Sequence, residues 1–196
     1  MSKLYRFCRG LAAIFVFICY RVKVINADKL SASGGVVLCC NHVAAIDPVI
    51  LGVKCKRQLC FMGKAELFKT RLTRYLFTKL GSFAVERGKH DHGAIQKAQE
   101  VVKNGGVFAI FPEGTRSKTG EIARAKPGAA LVAVTAGSDI LPVVIKYGAK
   151  KRKIFCKVTL KFGDPVKINP EVNTRDDIRR ITENLTDILR ELHSTI

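Results

Sequence analysis

The amino-acid sequence predicts a single α/β domain with a mixed, mainly parallel sheet flanked by helices, preceded by an N-terminal helix that lies in one leaflet of a membrane. Strand-like and helix-like stretches alternate along the chain, which is typical of layered α/β domains. No internal repeat, low-complexity segment or Gly/Ser/Pro-rich linker divides the 196 residues. That length suits one domain with a full hydrophobic core. A short, wholly apolar run between basic residues near the N-terminus predicts the membrane helix.

The N-terminal apolar run comprises residues 11–20, LAAIFVFICY. As a helix it would cover about 15 Å, roughly half of a hydrocarbon core of about 30 Å, so it cannot span a bilayer alone. Because the run is apolar on all sides and no small-x-small cleavage site follows it, we expect a monotopic anchor at the cytoplasmic face of the cell membrane. The alternative is a helix that packs on the core of its own domain. The cations expected to contact lipid phosphates are Lys3, Arg6, Arg9, Arg21 and Lys23.

The remaining elements follow from periodicity and from the residues that interrupt it. We expect residues 1–25 to form the anchoring segment and residues 26–196 to form the main domain. Short β-branched and aromatic runs predict strands at 36–40, 59–62, 83–85, 107–111, 140–147 and 154–162. Helical periodicity predicts helices at 49–53, 66–80, 92–103, 128–136 and 174–192, the last capped by Thr174.

The charge of the chain narrows the class of partner. The 34 Lys and Arg against 16 Asp and Glu leave a net charge of +18. An anionic membrane surface, an acidic carrier, a phosphorylated substrate or a nucleic acid would all suit it. Aromatic residues are only 8% of the chain, Trp is absent and no recognition motif is present, so we expect no nucleic-acid partner. The seven cysteines are odd in number and lack zinc-type spacing, which indicates reduced thiols in a cytosolic setting.

Polar residues follow three of the predicted strands. Asn41-His42 comes after the first, Glu86-Arg87 after another, and the segment 111–117, FPEGTRS, after a third. In α/β sheets, ligand sites gather beyond the carboxyl ends of the strands. The sequence therefore predicts a functional site at this edge.

His42 and Asp47 form the candidate reactive pair. Five residues turn a regular helix by about 500°, so the two side chains would lie about 140° apart on it and could not meet. The intervening residues must form a bent loop if the pair is functional. Asp47 would then fix the tautomer of His42, whose other nitrogen would take a proton from a substrate hydroxyl. The alternative is that Asp47 only caps the helix that begins at Pro48, and that His42 is a buried structural histidine.

Two arginines suggest an anion pocket beside this pair. Arg116 suits bidentate phosphate recognition, Gly114 allows close backbone approach, and Glu113 could orient a cation or accept a hydrogen bond from a substrate. Arg87 stands at another strand end. The alternatives are an ordinary turn with a solvated ion pair at 113–116 and a surface charge at Arg87. A pocket of this kind would suit an acceptor that carries both a hydroxyl and a phosphate.

Four blocks in order carry a resemblance to a known family. They are Asn41-His42-x4-Asp47, Gly81-x5-Arg87, FPEGTRS at 111–117 and Leu141-Pro142-Val143. Together they resemble the blocks of the 1-acyl-sn-glycerol-3-phosphate acyltransferases, within the glycerolipid acyltransferase family. Lys126-Pro127-Gly128 also resembles the Lys-x-Gly that follows the third block in that family.

The resemblance implies a reaction and a set of roles. His42 would deprotonate the sn-2 hydroxyl of lysophosphatidic acid, which would attack an acyl thioester, either acyl-CoA or acyl carrier protein, and give phosphatidic acid. Asp47 would orient His42. The alternative acceptors are glycerol 3-phosphate or another lysophospholipid. The residues implied to hold the acceptor are Arg87, Glu113, Gly114, Thr115, Arg116 and Lys126.

We expect neither a cofactor nor a metal ion. A metal-dependent hydrolase could draw on His42, Asp47, His90 and His92. The last two stand among glycines and a lysine, a composition typical of a solvated turn that leads into a helix, so the sequence disfavours this alternative.

Overall fold

A computed structural model of the chain describes residues 2–30, 33–85, 92–148, 155–169, 171 and 174–196. In these residues the strands form one seven-stranded sheet in the order β1-β7-β6-β2-β5-β3-β4. The strands are β1 (Tyr20–Ile25), β2 (Val36–Cys40), β3 (Leu59–Lys64), β4 (Phe83–Val85), β5 (Val107–Ile110), β6 (Ile140–Tyr147) and β7 (Cys156–Phe162). The helices are α1 (Lys3–Cys19), α2 (Asp47–Lys54), α3 (Arg71–Lys79), α4 (His92–Lys103), α5 (Gly128–Ala136) and α6 (Arg175–Ser194).

The sheet is mixed and mainly parallel, as predicted. Every strand pair is parallel except β6 with β7, which is antiparallel. The central strand β2 is buried along its whole length. Its residues alternate between two hydrophobic clusters, with Leu38 facing α1 and α2 and Val37 facing α4, α5 and α6. The predicted layer architecture, with helices on both faces of the sheet, is therefore confirmed.

The N-terminal segment differs from the prediction after residue 19. Helix α1 ends at Cys19, and the chain continues as the edge strand β1, which pairs with β7. Residues 20–25, YRVKVI, alternate between basic side chains such as Arg21, which is exposed, and apolar ones such as Val22, which packs against the core. This pattern suits a half-buried strand. Arg21 and Lys23, expected as lipid contacts that flank a helix, thus lie on an edge strand. The division of the chain at residue 25 stays a prediction.

Helix α1 combines features of both interpretations offered for it. Tyr5 and Val16 are buried, and the guanidinium of Arg9 donates to the carbonyls of Gly52 and Val53 in α2, at 3.1 and 2.9 Å. The helix therefore packs on the domain along one side. Among the described residues, no helix is long and apolar enough to cross a membrane. The large apolar residues of α1 that are exposed are Phe7, Leu11, Ile14, Phe15, Phe17 and Ile18.

Helices α3 and α2 begin at other residues than predicted. The helix predicted at 66–80 is divided into a 3-10 turn, Ala65–Phe68, and helix α3, because the hydroxyl of Thr70 accepts from the Thr73 N–H and starts a new helix. Helix α2 begins two residues earlier than predicted, at Asp47. The predicted Thr174 cap of α6 is confirmed, with Asp177 completing a capping box.

Candidate active site

The site lies where β2, β5 and β6 end. These strands are parallel neighbours, so their carboxyl ends meet at one edge of the sheet. Asn41 follows β2 and continues its pairing through the side chain. Its Oδ1 accepts from the Ile145 N–H at 2.7 Å, and its Nδ2 donates to the Ile145 carbonyl at 3.1 Å. Asn41 thereby fixes the direction in which the chain leaves the sheet toward His42. No role was predicted for Asn41, although its position directly after a buried strand was a usable signal.

His42 and Asp47 meet across a bent loop, as their spacing required. Nδ1 of His42 lies 2.8 Å from Oδ2 of Asp47. The same oxygen accepts from the N–H groups of Val43 and Ala44, at 2.7 and 2.8 Å. Asp47 is fully buried and is the first residue of α2. Its carboxylate thus shapes the loop before the helix and holds the histidine ring.

The hydrogen bonds of Asp47 define the tautomer of His42. A carboxylate only accepts hydrogen bonds, so Nδ1 carries the proton and Nε2 keeps its lone pair. The ring of Phe111 stacks on His42 with centroids 4.1 Å apart and planes 20° apart. The side chain of His42 is 13% exposed. The ring is therefore fixed in orientation and remains reachable from outside the protein.

The loop that follows β5 holds the main chain of His42 from both sides. Oε1 of Glu113 accepts from the His42 N–H at 2.8 Å, and the Ser117 N–H donates to the His42 carbonyl at 2.7 Å. Oε2 of Glu113 accepts from the Ala123 N–H at 3.0 Å. The Glu113 carboxylate is buried, with both oxygens on backbone donors. The structure thus places this predicted acceptor-binding residue behind His42, where it supports the main chain.

Three other residues of the predicted acceptor set lie on the same loop, with Lys126 beside them. Gly114 has a φ of +74°, and a Cβ at this position would lie 2.9 Å from the Lys126 Nζ. The Lys126 side chain therefore crosses directly over Gly114. Thr115, Arg116 and Lys126 are exposed. Arg87, the remaining residue of the predicted set, lies outside the described residues.

Tyr147 is a member of the site that the sequence analysis missed. Its hydroxyl donates to Oδ1 of Asp47 at 2.5 Å, across 100 residues of sequence. Burial, together with the negative charge of Asp47, raises the pKa of Tyr147 above its ordinary value. The phenol therefore stays protonated and acts as a donor. The spacing of residues along the sequence gives no signal for this contact, because only the pairing of β6 with β2 brings Tyr147 to the dyad.

An apolar cleft opens beside the dyad. It has a volume of about 170 Å³ and lies between α1, α2, β3 and α3. Phe61 lines this cleft and stacks on Phe111, with centroids 6.0 Å apart, and Phe111 in turn covers His42. The cleft is therefore connected to His42 through the two stacked rings of Phe61 and Phe111. Its other lining residues include Tyr5, Cys8, Ala12, Pro48, Val49 and Phe77.

The metal alternative finds no support in the part of the chain that the structure describes. Within that part, no three His, Cys, Asp or Glu side chains come together as a metal site. His92 begins α4, and His90 lies outside the described residues. All seven cysteines lie within the described residues and are free thiols. Burial raises the pKa of several of them, that of Cys55 to about 12, so these thiols stay protonated.

The site thus combines a histidine–carboxylate pair at the carboxyl edge of an α/β sheet with an apolar cleft close by. Such pairs are typical of enzymes that take a proton from a substrate. The family model described as Acyltransferase matches residues 21–146, well over half of the chain. The protein belongs to this family and is an acyltransferase.

Similar proteins agree with this family. The chain is 27% identical to a 1-acyl-sn-glycerol-3-phosphate acyltransferase of Bacillus subtilis, over 98% of each chain. It is 26% identical to a protein of the same name from Borreliella burgdorferi, over 87% of this chain and 69% of that one. The crystal structure of the 1-acyl-sn-glycerophosphate acyltransferase PlsC from Thermotoga maritima superposes with a TM-score of 0.72 at 25% identity, over 98% of this chain and 78% of that one.

Proposed function

We propose that this enzyme transfers an acyl group from an acyl thioester to the sn-2 hydroxyl of 1-acylglycerol 3-phosphate and so forms phosphatidic acid. The observation that carries the proposal is the His42–Asp47 pair with Nε2 available beside an apolar cleft. The names of the Bacillus subtilis and Thermotoga maritima proteins support the same acceptor. The acceptor supplies the nucleophile, so the protein needs none of its own.

The chemistry follows from the ring nitrogens of His42. Nε2 takes the proton of the acceptor hydroxyl while the oxygen attacks the thioester carbonyl. The thiolate leaves as the carbonyl re-forms, and it takes the proton from the imidazolium. Asp47 stabilises that imidazolium and keeps the ring oriented in both steps. Neither a metal nor a cofactor takes part in this sequence.

The acceptor phosphate would bind on the loop after β5. Arg116 and Lys126 supply positive charge, and Gly114 lets the backbone come close to the ligand. Thr115 offers a hydroxyl and an N–H at the same place, and Arg87 would add a second guanidinium. Glu113 acts on the reaction through the main chain of His42, since both of its carboxylate oxygens bind backbone N–H groups.

The apolar cleft suits an acyl chain. It begins at Phe61 and Pro48, next to the dyad, and extends to Tyr5 and Ala12 on α1. An acyl chain that lies in this cleft would leave its carbonyl end near Nε2 of His42. The exposed apolar side of α1 adjoins the cleft, so lipid could pass between the membrane and the site without crossing water.

Membrane attachment follows from the same helix. Large apolar residues of α1, such as Phe17 and Ile14, are exposed to water. Burying them in one leaflet of a membrane would remove this apolar surface from water and stabilise the bound state. Arg21 and Lys157, which are register neighbours on β1 and β7, supply cations for an anionic surface. We therefore place the enzyme as a monotopic protein on the cytoplasmic face of the cell membrane.

A second acceptor has one specific observation in its favour. The chain is 36% identical, over 55% of its length, to a Pseudomonas aeruginosa protein named lyso-ornithine lipid O-acyltransferase. The name of that protein gives its acceptor as a lyso-ornithine lipid. Another lysolipid is therefore the alternative acceptor for the same dyad and the same acyl transfer.

Release of free thiol from the donor tests the proposal. Acyl-CoA and acyl carrier protein are supplied separately, with lysophosphatidic acid, with lyso-ornithine lipid or with no acceptor. Thiol release that depends on lysophosphatidic acid and disappears in a folded His42→Ala variant is the expected result. Thiol release that depends only on lyso-ornithine lipid would show that this lipid is the acceptor. If thiol release depends on neither acceptor, the proposal is overturned.

A further inference from the structure

We infer that Tyr147 is a positioning residue of this site, whose hydroxyl holds the Asp47 carboxylate and thereby sets the proton affinity of His42. The role in acyl transfer rests on the function proposed above, whereas the contact itself does not. The mechanism above uses only His42 and Asp47, and Tyr147 acts on the reacting atoms through both of them.

The two oxygens of Asp47 are bonded very unequally. Oδ2 accepts from His42 Nδ1 and from the N–H groups of Val43 and Ala44. Oδ1 accepts from the Tyr147 hydroxyl. Asp47 is fully buried, and a buried carboxylate oxygen that lacks a donor is strongly unfavourable. Tyr147 therefore supplies Oδ1 with the donor that water supplies to an exposed carboxylate.

The fold holds Tyr147 rigidly in this position. Tyr147 ends β6 and pairs with Val158 of β7. Two residues earlier on the same strand, Ile145 is bonded through both backbone groups to the Asn41 side chain. Strand β6 thus anchors the residue before His42 and the tyrosine behind Asp47. The ring packs against the cluster that contains Ile145 and Leu160.

The electrostatic consequence has a definite sign. A hydrogen bond to Oδ1 stabilises and spreads the negative charge of the carboxylate, so less of that charge acts on the His42 imidazolium. Without this bond, more of the negative charge of Asp47 acts on protonated His42. The imidazolium is then stabilised more strongly. The pKa of His42 should rise, and the base should be protonated over a wider range of pH.

The test measures the titration of His42 directly. In protein with isotope-labelled histidine, the His42 signal is identified by its loss in His42→Ala, and its pKa is followed by NMR in wild type and Tyr147→Phe. We expect an upward shift of about 0.5 to 1 unit. The acid limb of kcat against pH should move in the same direction, with kcat lower by about tenfold and KM for the acceptor unchanged.

A matched control and an opposite perturbation separate positioning from packing. Tyr20 lies at the same edge of the sheet and, within the described residues, makes no hydrogen bond to Asp47, so Tyr20→Phe should leave the His42 titration unchanged. Site-specific fluorotyrosine at position 147 keeps the ring and makes its hydroxyl a stronger donor. It should lower the pKa of His42, which a purely structural role would not do.

The outcomes distinguish this inference from the proposed function. An unchanged His42 titration in both position-147 variants overturns the inference, whatever the activity. Shifts in opposite directions, together with a wild type that transfers no acyl group, retain the contact and overturn the proposed function. If Tyr147→Phe fails to fold, the fluorotyrosine variant alone decides.

Discussion

Gly114 is the single residue whose backbone the site most clearly requires. Its φ of +74° is a left-handed conformation, and the space beside it is occupied by Lys126. In Gly114→Ala the backbone strain should lower the free energy of unfolding by about 1–2 kcal/mol. The new methyl group should also push the Lys126 Nζ away from the loop, so KM for the phosphorylated acceptor should rise by about tenfold. Urea unfolding and steady-state kinetics measure the two effects.

Gly105 offers the control for this substitution. Its φ is +75°, and nothing lies within 4 Å of a Cβ placed there. Gly105→Ala should lower stability by a similar amount and leave KM unchanged. If both variants show the same kinetics, Lys126 does not depend on Gly114 for its position, and its role in acceptor binding loses this support.

The residues of the site that sequence could predict are those whose spacing carries information. His42 and Asp47 could be paired because the block Asn41-His42-x4-Asp47 resembles one of the family's blocks, and their five-residue gap then requires a bent loop. The support given by Glu113 could not be predicted, because it depends on the Ala123 N–H as well as on His42. Tyr147 could not be predicted either, since only the strand order brings it to Asp47.

Among the elements, α1 was predictable as a helix but not in its attachment. Its apolar composition gives no indication that Arg9 would bond the last carbonyls of α2. That contact joins α1 to the helix that carries Asp47 at its other end. Strand β1 was missed because an edge strand forms through pairing with β7, which is distant in sequence. Strands such as β2 were predicted because burial on both faces requires a continuous apolar run.

The exposed face of α1 gives a prediction at the scale of one element. Replacing Phe7, Leu11 and Phe17 by Gln keeps the packing residues Tyr5 and Val16 and a good helix propensity. Each apolar side chain buried in lipid contributes about 1.5–3 kcal/mol, so binding to phospholipid vesicles should fall more than 100-fold. The unfolding midpoint in urea should change little because these side chains are mostly exposed.

Apolar replacements at the same positions provide the matched control. The variant Phe7→Leu, Leu11→Met and Phe17→Leu keeps the hydrophobic face and should bind vesicles like the wild type. Vesicle sedimentation at equal protein concentration compares the three proteins. Undiminished binding of the Gln variant would rule out α1 as the anchor.

At the scale of the whole molecule, part of the positive charge lies along one surface groove. A surface groove of about 940 Å³ beside α1, β1 and β7 is lined by apolar residues such as Phe17 and Phe155, and by Arg21 and Lys157 among other cations. The ion pairs found among the described residues use neither of these two cations. The strands β1 and β7 begin at the same sheet edge as the dyad, because β7 runs antiparallel to β6. A groove that is both basic and apolar at this edge would turn the active site toward an anionic membrane.

Neutralising Arg21 and Lys157 tests whether position or total charge matters. Each cation near an anionic surface contributes about 1 kcal/mol, so Arg21→Gln with Lys157→Gln should weaken binding to anionic vesicles about 30-fold at low salt. The difference should shrink in high salt, where the Debye length falls to about 3 Å at 1 M.

Lys97→Gln with Lys103→Gln removes the same charge from α4, which packs near β4 and β5 at the other end of the sheet. That control should bind almost as the wild type does, and equal losses in the two variants would show that net charge alone, without an oriented surface, attracts the protein to the membrane.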